Sequence, residues 1–295
     1  MANRDEVIQR LGWDIFAVDL GSPRTTASQD IAGTTLETLA FTASHGGLIT
    51  GYFLAPKAAN APAILYCHAH GARYDIGISE LTEGRPALLR PYLHDLAQAG
   101  FAVLCLEMPT FGARATPDES TLSKALLWQG KTLFGQMLGE LAGGLSYLAR
   151  HPRIDPARIG TLGISMGGTH AWWLAALDDR VAAAVSLCCF ADLGALVDAH
   201  AHDGHGAYMT VPGLLTHCTT GQLAGLAAPR PQLHCIGLDD AFTPERAVKI
   251  AQTDLQHAYK THPHMLQFHM EHGVGHRETQ PMREATLAFL KKHLS

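Results

Sequence analysis

The sequence lacks the features of a membrane-spanning or secreted protein. It has no apolar run near the ~18 residues that cross a bilayer. Residues 1–16, MANRDEVIQRLGWDIF, contain no apolar segment typical of a signal peptide. The six cysteines show no CxxC spacing and lie mostly in apolar runs, which favours reduced, buried thiols. We therefore expect a cytoplasmic protein with no membrane partner.

Charge of either sign is also scarce. Charged residues make up 17% of the chain and the formal net charge is −5, with no long run of one sign. Such a chain offers no basic surface for nucleic acid. The hydrophobic fraction of 47% is ordinary for a protein with a sizeable core. No internal repeat or low-complexity linker divides it, so we predict one domain, residues 1–295; the sequence leaves open whether it forms a homo-oligomer.

Short apolar runs alternate with longer helical patterns through most of the chain. The predicted strands are 61–69, 101–108, 158–165, 181–190, 231–238 and 264–270. The predicted helices are 86–99, 120–150, 167–178, 244–260 and 280–294. Near-continuous apolar strands are expected where a parallel sheet is covered on both faces. The alternation predicts an α/β fold with a mostly parallel, doubly wound sheet.

Three segments stand outside this alternation. Residues 35–43 and 47–56 flank the turn sequence SHGG and are predicted to form an antiparallel hairpin at the sheet edge. Residues 1–34 are expected to hold one short helix and an arm lying on the domain. Residues 191–230 separate two strands, and we expect them to form a small lid over one end of the sheet.

The strongest local signal is GTLGISMGGTHAWWLAAL. Ser165 lies between Gly163 and Gly167 in the pattern G-x-S-x-G, after a predicted strand and before a predicted helix. A tight strand-to-helix turn needs small neighbours and exposes the serine hydroxyl as a nucleophile. The Met166 amide would then stabilise a developing oxyanion. The alternative is a glycine-rich turn with an incidental serine.

A nucleophilic serine needs a histidine base and an orienting carboxylate, which follow it in this fold. CIGLDDAFTP follows the next-to-last predicted strand, and its spacing favours Asp240 over Asp239 as the carboxylate. HMEHGVGHRET follows with three histidines, of which His276 is framed by glycines on a loop. His269 belongs to the preceding strand, and His272 is the alternative base.

The second oxyanion donor is expected after the strand at 61–69. There His70-Gly71 ends the strand, and the glycine lets the backbone turn so that the Ala72 amide faces the nucleophile. The alternative is a simple strand-terminating turn.

These motifs resemble those of α/β-hydrolases of the dienelactone-hydrolase-like and acetyl-xylan-esterase-like group. The similar pieces are HGARYDIG, LEMPTFGAR, the serine turn, APRPQLHCIGLDDAFTP and GVGHRE, within about residues 35–295. The resemblance implies an α/β-hydrolase fold and a serine esterase with the triad Ser165, Asp240 and His276, without cofactor or metal. Dienelactone hydrolases proper have cysteine where this chain has Ser165, which favours carboxylic ester hydrolysis over dienelactone chemistry. The resemblance further implies a small ester substrate of the acetyl type.

The resemblance also suggests substrate contacts. Related proteins have a histidine and a Tyr-x-x-x-Pro-Gly stretch over the pocket, which predicts that His205, Tyr208 and Met209 touch substrate; Tyr74 is a further candidate. The alternatives are a metal cluster of His200, His202 and His205, or solvated loop histidines without a role. Trp128 and Phe134 lie on the helix before the serine and would line a pocket or belong to the core.

Other functions remain open on the sequence alone. His68-x-His70 and His262-x-His264 suggest a metal-dependent hydrolase, but that reading requires an eight-fold barrel with further ligands at later strand ends. A non-catalytic ligand-binding protein would usually lack a triad residue. Peptidase, thioesterase and C–C hydrolase activities share the same triad, so the triad alone does not choose among them.

Overall fold

A nine-stranded sheet runs through the computed structural model, counted over its described residues, 2–31 and 33–295. The strands are β1 (Arg24–Ile31), β2 (Thr34–Thr42), β3 (Leu48–Leu54), β4 (Ala61–Cys67), β5 (Ala102–Leu106), β6 (Ile154–Ile164), β7 (Ala183–Leu187), β8 (Gln232–Gly237) and β9 (Leu266–Glu271). Their order is β1-β2-β3-β5-β4-β6-β7-β8-β9. The six strands from β5 to β9 in this order are mutually parallel, while β1, β2 and β3 join antiparallel. The predicted α/β class and edge hairpin are confirmed.

Helices cover both faces of the sheet. They are α1 (Arg4–Leu11), α2 (Glu80–Glu83), α3 (Leu93–Gln98), α4 (Glu119–Trp128), α5 (Leu133–Arg150), α6 (Met166–Leu177), α7 (Leu193–Asp198), α8 (Thr220–Ala224), α9 (Glu245–Ala258) and α10 (Gln280–Leu294). One core cluster packs α1, α5, α6, α8 and α9 against the sheet. A second cluster packs α2, α3 and α10 against the other face. This double cover explains why β4, β5 and β7 are almost entirely buried and mostly apolar.

The structure corrects three predicted elements. The segment predicted as an arm contains strand β1. Hydrophobic periodicity does not reveal this strand, because its side chains are almost all exposed and form no apolar pattern. The predicted helix 86–99 is only α3, since Pro86 and Pro91 cannot donate the backbone hydrogen bonds of a continuous helix. The predicted helix 120–150 is two helices: Gly130 has a φ of +70°, and the Thr132 side chain caps α5 by accepting the Gly135 N–H.

The amino-terminal arm lies in a groove on α5. A Cβ atom at Gly135 would be 2.6 Å from the Leu11 carbonyl oxygen, and one at Gly139 would be 2.8 Å from Val18 Cγ2. Gly143, four residues further, is similarly close to Leu20. Positions four apart share one face of a helix, so glycine at each lets the arm lie directly against the helix backbone. Leu11, Ile15, Val18 and Leu20 are thereby part of the core.

Candidate functional site

Ser165 lies at the turn between β6 and α6. Its φ of 57° and ψ of −124° are unusual for a residue with a side chain, a conformation that costs about 1–3 kcal/mol. Its amide donates a hydrogen bond to the Leu187 carbonyl at 2.8 Å. A Cβ at Gly167 would be 1.9 Å from the Cys67 carbonyl oxygen, so only glycine fits beside β4. The G-x-S-x-G spacing thus corresponds to a strained turn that the surrounding backbone holds in place.

His276 and Asp240 form a close pair. The Nδ1 atom of His276 is 2.6 Å from Asp240 Oδ2, and the Asp240 side chain is fully buried. The other oxygen of Asp240 accepts the Phe242 N–H at 2.9 Å. Because a carboxylate only accepts, Nδ1 carries the proton and Nε2 of a neutral ring is free to take another.

The neighbours of this pair have other contacts. Asp239 Oδ1 accepts the Gly273 N–H at 3.2 Å and lies exposed in the loop. His269 Nε2 is 2.8 Å from Glu271 Oε1, on β9. His272 is exposed. The structure therefore places Asp240, and neither of the adjacent candidates, against His276.

Ser165 and His276 line one pocket of about 520 Å³. Its lining residues are His70, Gly71, Ala72, Ser165, Gly204, His205, Gly206, Tyr208, Phe242 and His276. The residues from the core of the fold follow the carboxyl ends of β4, β6, β8 and β9, where open α/β sheets bind their ligands. Residues of the insert 191–230 supply the remaining wall of the pocket.

Hydrogen bonds to neighbouring side chains and within the loop itself fix the loop after β4. The Ala69 N–H donates to Glu80 Oε2 at 2.9 Å, and Arg85 Nη2 donates to the Ala69 carbonyl at 2.8 Å. Gly71 and Ala72 both have left-handed backbones, with φ of 54° and 53°. The Ala72 N–H donates to Nδ1 of His70 at 3.0 Å. This loop brings Ala72 to the pocket, but its amide already has an acceptor.

Glu119, which the sequence did not single out, borders the same loop. Its Oε2 is 2.6 Å from His70 Nε2 and accepts the Tyr74 hydroxyl at 2.7 Å, while its Oε1 accepts the Tyr208 N–H at 2.7 Å. Burial would raise the pKa of Glu119, but the hydrogen bonds from His70 and Tyr74 outweigh it and hold the pKa below its ordinary value. Asp118-Glu119 begins a helix, where acidic residues are common, so the sequence offered no sign of a site role.

The predicted substrate contacts divide into two groups. His205 and Tyr208 line the pocket, and His205 Nε2 donates to the Phe242 carbonyl at 3.0 Å. Burial lowers the pKa of His205, which favours its neutral form. Met209 instead lines a smaller adjoining cavity, together with His205, and Tyr74 contacts Glu119.

Two aromatic candidates do not reach the pocket. The Trp128 side chain is 93% exposed at the far end of α4, so the prediction that it lines a pocket is wrong for this structure. Phe134 is fully buried and packs edge-on against Trp173 at 4.9 Å. It belongs to the core.

His68 and His70, one of the pairs that suggested a metal, have separate partners. The Nε2 of His68 accepts the Met108 N–H at 3.1 Å, whereas His70 pairs with Glu119. Within residues 2–31 and 33–295, no three His, Cys, Asp or Glu side chains are grouped to hold a metal ion. Over the same residues, no helix combines the length and apolar character of a membrane span.

Comparison with known proteins identifies the family. Residues 49–192 match the dienelactone hydrolase family. The chain is 37% identical over 247 residues to "Putative hydrolase YtaP" of Bacillus subtilis (strain 168), covering 82% of this chain and 83% of that protein. The chain belongs to the dienelactone hydrolase family. This family member is therefore a hydrolase.

Solved structures show that this dienelactone hydrolase family member has the α/β-hydrolase fold. Acetyl xylan esterase 1 from Thermoanaerobacterium sp. JW/SL YS485 superposes with a TM-score of 0.67 at 17% identity, covering 99% of this chain and 94% of that one. A glucuronoyl esterase from Solibacter usitatus gives 0.69 at 13% identity, covering 99% and 92%. At 17% and 13% sequence identity, these structural similarities show a shared fold and nothing further.

Proposed function

We propose that this hydrolase is a serine carboxylesterase that acts on short-chain, acetyl-type esters. The observation that carries the proposal is the shared pocket. Ser165, on its strained turn, lines the same pocket as His276, whose Nδ1 is held by the buried Asp240 carboxylate at 2.6 Å. In acyl transfer, Ser165 would be the nucleophile, His276 the base and Asp240 the orienting carboxylate.

The proposed reaction proceeds in two halves. His276 Nε2 takes the Ser165 hydroxyl proton while Oγ attacks the ester carbonyl carbon, and the carbonyl electron pair moves to oxygen. The amides of Met166 and Ala72 stabilise that oxyanion, and Asp240 stabilises the imidazolium. His276 then protonates the leaving alcohol, and a water molecule repeats the sequence to release the acid.

The pocket lining supports a neutral substrate. It consists of histidine, tyrosine, phenylalanine and small residues, and among its described lining residues there is no lysine or arginine. An ester carrying a carboxylate would find no fixed cation to pair with there.

The adjoining cavity supports a short acyl group. It has a volume of about 20 Å³ and includes Trp172, Trp173 and Met209 in its wall. That is room for about one water-sized or methyl-sized group. Longer acyl chains would have to displace the packed side chains around it.

The decisive experiment compares p-nitrophenyl esters of increasing acyl length, beside acetylated xylan, cephalosporin C, and a matched thioester and anilide. Acetate should have the highest kcat/KM, and Ser165→Ala should lower kcat by about 10⁴–10⁶-fold with an unchanged circular dichroism spectrum. A serine-directed organophosphonate should label the wild-type protein and not the variant. Near-normal ester hydrolysis by folded Ser165→Ala, or a preference for the thioester or anilide, would contradict the proposal.

A further inference from the structure

A second carboxylate–imidazole pair borders the pocket, and the reaction described above does not use it. His70 Nε2 and Glu119 Oε2 are 2.6 Å apart, with side chains only 13% and 6% exposed. His70 lines the pocket beside Ala72. The pair therefore lies next to the amide that the proposed mechanism assigns to the oxyanion.

The hydrogen bonds assign the roles of the two His70 nitrogens. The Glu119 carboxylate is an acceptor at each of its contacts, so Nε2 of His70 carries the proton. Nδ1 is then a lone-pair acceptor, and it accepts the Ala72 N–H at 3.0 Å. A left-handed backbone at a residue with a side chain costs about 1–2 kcal/mol, so this hydrogen bond helps to hold the turn at Ala72.

Glu119 also ties this loop to the insert. Its second oxygen accepts the Tyr208 N–H, and the Tyr208 ring stacks on His70 with centroids 5.6 Å apart. A Cβ at Gly206 would be 2.7 Å from Glu119 Oε1 and 2.8 Å from His70 Nε2, so the insert is closely packed on the pair. One carboxylate thus joins the start of α4, the loop after β4 and the wall of the pocket.

We propose that Glu119 and His70 are positioning residues for ester hydrolysis. Glu119 fixes the His70 tautomer, and His70 holds the left-handed turn that presents the Ala72 amide to the substrate. In the transition state this N–H is shared between His70 Nδ1 and the oxyanion, as a three-centre hydrogen bond. This inference rests on the proposed esterase function.

The first test measures Glu119→Gln with p-nitrophenyl acetate and with 2,2,2-trifluoroacetophenone. With the ketone, Ser165 Oγ bonds to the carbonyl carbon, the carbonyl electron pair moves to oxygen, and the serine proton passes to His276. The resulting hemiketal oxyanion occupies the oxyanion site. We expect kcat to fall about 10- to 100-fold and the ketone Kd to rise by a similar factor, while KM changes less than about 3-fold.

Two comparisons separate positioning from general structural support. Asp118→Asn makes the same carboxylate-to-amide change one position earlier, where the side chain caps α4 by accepting the Thr121 N–H, so kcat and the ketone Kd should change less than about 3-fold. In His70→Asn, the side-chain carbonyl can accept the N–H two residues on, as in an Asx turn. It should keep kcat about 10-fold above His70→Leu. Adding Glu119→Gln to His70→Asn should cause little further loss, because both changes act on one interaction.

The outcomes distinguish this inference from the function on which it rests. A folded Glu119→Gln with unchanged ketone affinity and a raised KM would assign Glu119 to the pocket wall alone and overturn the inference. Equal kcat values for His70→Asn and His70→Leu would also overturn the inference. If Glu119→Gln does not fold, the comparison of these two His70 variants is the test. A wild-type protein that forms no hemiketal and hydrolyses no ester would overturn the proposed function and this inference together.

Discussion

Three buried histidines predict that the protein loses stability in mild acid. His68, His170 and His234 are at most 1% exposed. Burial lowers their pKa values to about 3, 4 and 3, respectively. In the unfolded chain each would titrate near pH 6.5. Lowering the pH from 7 to 5.5 is therefore a perturbation that acts mainly on the unfolded state.

The sign and size of the effect follow from proton linkage. Because the folded pKa values lie below the unfolded ones, the unfolded chain binds more protons between about pH 4 and 6.5, and the free energy of unfolding falls with pH in that window. From pH 7 to 5.5 the three histidines together remove about 4 kcal/mol, a large part of the ~5–15 kcal/mol that stabilises a typical domain.

Buried carboxyl groups modify this effect in a known direction. The lowered pKa values of Glu119 and Glu140 add a loss of stability only below about pH 4.5. Burial raises the pKa values of Glu80 and Glu107, which acts in the opposite sense. The histidine contribution is therefore best isolated by a variant.

Urea unfolding at pH 7, 6.5, 6 and 5.5 measures the effect. We expect the free energy of unfolding of the wild type to fall toward pH 5.5. In His170→Asn the amide can still donate to the Met166 carbonyl, as His170 Nδ1 does at 2.8 Å. Its slope near pH 5.5 should be smaller by about one proton. Equal slopes for the two proteins, or a wild-type stability that does not change with pH, would refute the argument.

Three further predictions concern single positions. Asp240→Asn should lower kcat about 10⁴-fold in ester kinetics because the amide can donate to Nδ1 and stabilise the wrong imidazole tautomer, whereas Asp239→Asn should stay within a few-fold. Gly167→Ala should cost about 3 kcal/mol or more in urea unfolding, since the added Cβ meets the Cys67 carbonyl; an unchanged midpoint would contradict the packing. Trp128→Ser should leave kcat/KM within about 2-fold across the ester series, and a large change would place this side chain near substrate after all.

The parallel sheet could be predicted from the sequence because its inner strands, such as β5 and β7, are buried on both faces. All six predicted parallel strands correspond to strands of the structure, with ends that differ by a few residues. The edge strand β1 could not be predicted in this way. Its stability comes from the ladder with β2, and its sequence RTTASQDI has no apolar face for a periodicity argument to detect.

The catalytic candidates were recognisable because each follows a strand within a glycine-framed motif. Ser165, Asp240 and His276 converge at one end of the sheet by topology alone. Glu119 could not be recognised in this way, because its partners lie in two other segments, the loop after β4 and the insert, which meet it only in the folded chain. The position of Trp128 depends on where α4 ends, and the glycine turn that ends it lay inside a predicted continuous helix.

Because the groove on α5 is synthesised long after the arm that fills it, the order of synthesis affects when this arm can pack. Residues 11–20 leave the ribosome before α5, because the helix that receives them, through Gly143, is roughly 120 residues further on. At a synthesis rate of about 5–20 residues per second, α5 is completed roughly 6–25 s after this arm. During that time buried residues such as Ile15 and Leu20 have no α5 to pack against. Translation speed and early chaperone contact should therefore affect the yield of folded protein through residues 11–20.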